Sequence, residues 1–364
     1  MRRLPFYATV AILAILCFGW LTLRSRPLRG AAGLEPVLFA SNLHQPRAVA
    51  VGADGSLYVA EAGWAVPGQT AVAGRLTRIT ARDETSVVVE GLAAAGASQP
   101  LFTQGGPSAL ASTSPPPPST TGTEARLHVL FGATEGRPSG SLAELDVSAG
   151  QGVLGPPSAI TIDAQTVEGT PATVWGAQVS GNALLAALPQ ANLLTRIDSA
   201  VGPAIGRGAA VTGFIGEGGS NPHPTGIALA ADGSIFVAHF GAEPFRPGSG
   251  RVVIVAPDGR WQPRFEGLNF PVAVAFAPSG QLFVLEFASG YDARAGRFTP
   301  RSGRLLAIGP EPNRRRIIVR DIDYPTALTF SGFGDAYFTE GGAFRGPGAG
   351  RILLVPGQSL LPGR

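Results

Sequence analysis

The chain has 364 residues and a formal net charge of +3, long enough to bury a large core and too weakly charged for its partners to be set by charge alone. All 28 of its basic residues are arginine and they are spread along the chain, which excludes the clustered basic face of a nucleic-acid binder. The single cysteine, Cys17, falls in an N-terminal apolar stretch, so the remainder has no disulfide framework and no cysteine metal site.

That stretch, Leu4 to Leu23, follows Arg2 and Arg3 and is long enough to span a bilayer, at the upper limit for a signal peptide. Arg24, Arg26 and Arg29 lie behind it, so the charge asymmetry that sets orientation is weak, and no Ala-x-Ala cleavage site follows directly. We read residues 1–30 as an uncleaved membrane anchor, with a cleaved signal as the alternative. The domain at 34–360 is expected to be extracytoplasmic in either case.

The domain is repetitive. Pro46 to Glu61, Pro224 to His239, Pro271 to Glu286 and Pro325 to Glu340 each run from a proline through small/large alternation and a turn into an aromatic-containing strand. A Gly-rich loop follows each, then a strand opening on Gly-Arg: Gly74-Arg75, Gly250-Arg251, Gly303-Arg304 and Gly350-Arg351. A period of roughly 50 residues is in the range of propellers and arrays. Period-two alternation marks strands, and the small residues Ala48, Ala50, Gly226, Ala228, Ala273 and Ala275 suit innermost strands crowding on an axis. Ala53-Asp54-Gly55, Ala231-Asp232-Gly233 and Pro278-Ser279-Gly280 supply tight turns.

Two diverged units fill residues 93 to 220. One holds Leu127 to Phe131 and Leu142 to Val147; the other holds Val174 to Val179, Ala183 to Leu188 and Leu193 to Ile197. The Pro/Ser/Thr run Ser112 to Gly122 reads as an extended loop insertion. Arg314-Arg315-Arg316 reads as a solvated turn between strands. The expected fold is an all-β, six-bladed propeller with four-stranded antiparallel blades and NHL-like repeats, preceded by an apolar N-terminal helix. The last repeat lacks a fourth strand and Pro36 to Ala40 precedes the first, so the N-terminal strand is expected to complete the last blade.

Leu43-His44-Gln45-Pro46-Arg47, Leu57 to Gly63, Pro224 to Ala228, Glu243 to Gly248 and Leu282 to Glu286 resemble the ScyD/ScyE-type propellers associated with scytonemin biosynthesis. The resemblance runs from about residue 34 onward and is best from 221 to the C-terminus. It implies a propeller and an exported location, and it carries no assigned reaction.

Glu61, His239, Glu286 and Glu340 share one repeat position, a set a divalent metal or acid/base chemistry could use. Arg75, Arg251, Arg304 and Arg351 stand at the matching position of the next strand, so cross-strand ion pairs are the structural expectation. The long loops after the second strands carry Trp64, Phe245, Arg246, Tyr291, Arg294, Phe298, Phe344 and Arg345, a candidate binding rim. A quinone-dependent sugar dehydrogenase would call for a catalytic histidine with an arginine and a calcium loop, and His44, His128, His223 and His239 fit no such pattern. The expectation is a monomeric binding scaffold, without cofactor or catalysis, for a protein or small organic ligand at the loop face. A metal-dependent hydrolase or lactonase of the gluconolactonase type, using Glu61, His239, Glu286 and Glu340, is the alternative.

Overall fold

The computed structural model describes residues 33–52, 54–96, 101–103, 107–112, 126–131, 141–146, 153–155, 158–162, 173–181, 183–198, 207–216, 219–309 and 314–360. They form six antiparallel sheets of four main strands, the blades of a propeller. The expected anchor and most of the Pro-rich insertion, residues 113–122, lie outside the described residues. Among the described residues no helix is long and apolar enough to cross a membrane.

Blade 1 runs outward from the axis as Pro46–Val51, Leu57–Glu61, Gly74–Ala81 and Glu84–Leu92. Blade 4 is Pro224–Leu229, Ile235–His239, Gly250–Val255 and Trp261–Leu268; blade 5 is Pro271–Phe276, Leu282–Glu286, Gly303–Ile308 and Arg315–Ile322. Blade 6 is Leu328–Phe330, Ala336–Glu340 and Gly350–Val355, and its outermost strand is Val37–Leu43, antiparallel to Gly350–Val355. Gly55, Gly233 and Gly280 turn the inner hairpins at φ of 78°, 83° and 79°, a region closed to most side chains.

Two expectations are corrected. Pro107–Ser112 is a strand, the innermost of blade 2, so Ser112 ends a strand and does not open a loop. Arg315 and Arg316 begin the outer strand of blade 5, where Arg315 donates to the Gly267 carbonyl at 2.7 Å and Arg316 to that of Leu360 at 3.0 Å. A solvated turn is not needed to place them.

The core is a set of seams between blades, because alternate residues of one strand face opposite neighbours. Tyr58 and Ala60 pack toward blade 2 with Leu127 and Val129, whereas Leu57 and Val59 pack toward blade 6 with Ile352. The Gly-Arg pairs have a steric cause. A Cβ on Gly250 would stand 2.3 Å from Cδ of Pro271, and one on Gly350 equally close to Cδ of Pro46. The glycine opening each third strand thus makes room for the proline that starts the next blade. Thr225 donates to the Pro271 carbonyl at 2.8 Å and Thr326 to that of Pro46 at 2.7 Å, tying blade 4 to blade 5 and blade 6 to blade 1.

Candidate functional site

The register places Glu61 opposite Arg75, His239 opposite Arg251, Glu286 opposite Arg304 and Glu340 opposite Arg351. Glu61 accepts from Arg75 Nε at 2.9 Å, from the Thr77 hydroxyl and from the His44 backbone N–H at 2.5 Å. Glu286 accepts from Arg304 Nε at 2.6 Å and the Asn269 N–H at 2.7 Å; Glu340 accepts from Arg351 at 3.3 Å and the Asp323 N–H at 3.2 Å. His44, Asn269 and Asp323 each stand two residues before the proline that opens a blade. Each carboxylate therefore pins the strand-to-strand linker to its own blade, using charge-assisted bonds at both ends. Burial pushes the Glu286 pKa up in spite of the Asn269 N–H and Arg304.

Blade 4 departs from this scheme for a covalent reason. The residue two before Pro224 is Pro222, which has no N–H to satisfy, so no carboxylate is required there. His239 takes the place, buried between Phe214 and Trp261 at ring distances of 4.4 and 5.6 Å, with neither ring nitrogen hydrogen-bonded. Burial, then the nearby Arg251, pulls its pKa down to about 3, so it is neutral packing. The four residues pooled as metal ligands lie on four different blades, and among the described residues no three His, Cys, Asp or Glu side chains converge as a metal site.

The rim residues separate into three groups. Phe298 is 4% exposed and packs against Phe240, Phe245, Phe270, Phe287 and Tyr291, so it belongs to the interior and not to a surface. Phe245, Tyr291 and Phe344 are half-buried on the same aromatic cluster, which spans blades 4 to 6 beneath the loops. Trp64 is half-buried in an isolated β-bridge with Val72. Arg345 is held by Asp323 through two bonds of 2.6 and 2.8 Å and lies 5.0 Å over the Tyr324 ring. Only Arg246 and Arg294 of the expected rim are exposed.

One feature that the sequence did not mark is the axis itself. The innermost strands enclose a cavity of about 560 Å³ lined chiefly by Ala, Gly, Val, Leu and Ile. Its side chains become less exposed along the strands, from half-buried Ser331 and Phe330 near the hairpin turns to buried Val272 and Thr326 near the loop face. None of the four histidines lines it. His44 is in a linker, His128 faces Glu144 at 3.7 Å in blade 2, His223 stacks on Phe102 at 4.9 Å and His239 is in the blade 4 core.

Among the described residues one charged side chain lines this cavity, Arg47, which is 4% exposed. Its one side-chain hydrogen-bond partner is Gln45 Oε1 at 3.1 Å; no carboxylate among the described residues is paired with it, and its buried Nε has no partner. Its guanidinium lies 5.4 Å over the ring of Trp175, which is 6% exposed, lines the same cavity and has an unpartnered Nε1. Burial pulls the Arg47 pKa down to about 9, which leaves it charged at neutral pH. Arg47 follows the blade-opening proline where other blades carry Thr225, Val272 and Thr326, and that contrast is the signal the repeat held.

Searches against family models and against curated proteins find no match for this chain. Solved structures do resemble it. A putative oxidoreductase (glucose dehydrogenase) from Thermus thermophilus is 18% identical, with 89% of this chain and 100% of that one covered and a TM-score of 0.57. The PQQ-bound aldose sugar dehydrogenase of Streptomyces coelicolor is 14% identical over 91% and 99%, at a TM-score of 0.58. The soluble aldose sugar dehydrogenase of Escherichia coli, in its apo form, is 12% identical over 88% and 99%, at 0.56. At these identities the likeness shows the six-bladed propeller fold.

Proposed function

We propose that this chain is a ScyD/ScyE-type, extracytoplasmic propeller, held at the membrane by residues 1–30, that binds a small organic ligand in its central channel without catalysis of its own. One observation carries the reading. Small inner-strand side chains leave a cavity of about 560 Å³, within the range of about 300 to 1,000 Å³ usual for ligand sites. Phe245, Tyr291, Phe298 and Phe344 of the expected rim pack in one aromatic cluster, which favours the axis over the loop face as the binding site. Arg246 and Arg294 remain as the exposed loop-face residues for a protein partner.

The names of the fold neighbours favour an enzymatic reading as the rival, and a quinone cofactor is the group they bring to mind. The donors present do not fit a metal-held quinone: the described channel lining has no carboxylate and no imidazole, and no three such groups converge elsewhere among the described residues. The metal-dependent hydrolase of the sequence stands as the second enzymatic form.

The test fills the channel. Replacing Ala228, which lines the cavity and is buried, with Phe is expected to abolish the thermal stabilisation given by any small organic compound that binds the purified full chain. Compounds that stabilise Ala228→Phe as well as the wild type would place binding elsewhere. A stoichiometric divalent metal, measured by mass spectrometry and lost in Glu340→Gln, would overturn the scaffold reading in favour of a metal site, and turnover of a lactone or ester would then be needed to make it a hydrolase.

A further inference from the structure

The unpartnered polar atoms at the loop-face end of the channel lining are Arg47 Nε and Trp175 Nε1. Both are donors and neither can accept. The other polar groups there are committed. Gln45 Oε1 accepts from Arg47, Gln45 Nε2 donates to the Arg345 carbonyl at 3.1 Å, and the Thr326 hydroxyl donates to Pro46 O while sharing a hydrogen with Thr339 at 2.8 Å. A buried cation without a counter-charge is costly to the fold. Every other buried charge at the strand ends of blades 1, 5 and 6 is neutralised by its own partner, so the omission at Arg47 is local to the channel.

We infer that the channel ligand is an organic carboxylate with an apolar body, its carboxylate held by the Arg47 guanidinium and the Trp175 indole N–H and its body lying along the alanine-lined inner strands. This rests on the channel being the binding site. A single fixed cation matches a monoanion, whereas a phosphate dianion would leave one charge uncompensated beside the lone Arg47. The guanidinium is already held by Gln45 at 3.1 Å and over the Trp175 ring at 5.4 Å, so little side-chain freedom is lost when an anion docks.

The test compares 3-phenylpropionate, its isosteric amide 3-phenylpropionamide and inorganic phosphate by calorimetric titration of the full chain. The expected result is binding of the acid about tenfold or more tighter than the amide, with that preference lost in Arg47→Met and reduced in Trp175→Phe, which keeps an aromatic ring but not the N–H. If Arg47→Met does not fold, Trp175→Phe carries the comparison alone. Equal binding of acid and amide, both blocked by Ala228→Phe, overturns the carboxylate inference and leaves the channel reading standing. Phosphate binding as tightly as the acid also overturns it, in favour of a plain counter-ion. No binding of acid or amide at all overturns both.

Discussion

Glu61 and Arg47 lie at the same end of blade 1, and the protein treats them in opposite ways. Glu61 is fully buried and accepts from Arg75 and Thr77 at one carboxylate oxygen and from the His44 N–H at the other. Arg47 is almost as buried and keeps one hydrogen-bond partner, a neutral amide. Blades 5 and 6 repeat the Glu61 arrangement; no other described blade repeats Arg47. A charge with a complete set of partners serves the fold, and a charge left incomplete in a cavity has its partner still to come.

Substitutions at four positions separate the two kinds of site. Phe298→Ala is expected to cost the most, about 4 kcal/mol of unfolding free energy, because it opens a cavity at the centre of the aromatic cluster; a loss below about 1 kcal/mol in denaturant melts would show that Phe298 is on the rim after all. Glu286→Leu should cost about 3 kcal/mol by stranding Arg304 and the Asn269 N–H, with the metal content unchanged. A variant that folds as stably as the wild type while losing a metal would reverse the assignment.

His239→Glu sharpens the contrast between blades. Restoring the carboxylate of blades 1, 5 and 6 should cost about 2 kcal/mol, since Pro222 offers it no N–H and Phe214 and Trp261 enclose it; a gain in stability would refute the role given to the proline. His239 also predicts acid behaviour. Its folded pKa of about 3 is below the ordinary value of 6.5, so the unfolded chain binds the extra proton between these values. Stability then falls as pH drops from 6.5 toward 3, by up to about 1.4 kcal/mol per pH unit. His239→Leu should flatten that limb of the stability profile, and an unchanged profile would show that another group titrates there.

The smallest expected effect has the opposite sign. Arg47→Met removes an uncompensated buried charge and keeps a flexible apolar chain, so the ligand-free protein should gain about 1 kcal/mol. A loss of that size would make Arg47 a structural residue working through Gln45.

The repeat made the blades legible wherever the steric cause was local. Gly250 and Pro271 announce one another because they touch, and Glu286 with Arg304 follows from strand register. Pro107–Ser112 carries the same proline-led alternation but runs into a Pro-rich tract without a Gly turn, and so it was hidden. The direction of the loop aromatics was not legible either, since sequence places Phe245 and Phe298 on loops without saying that neighbouring blades bring them together. Arg47 stood inside a recognisable motif, but its isolation depends on what six strands place around one axis. Only the folded chain displays that.

The most direct test of the central claim is a crystal structure of the full chain grown with 3-phenylpropionate. The ligand is expected between the innermost strands, with its carboxylate against Arg47 and Trp175. An empty channel with the ligand held among the loops beside Arg246 or Arg294 would contradict the claim.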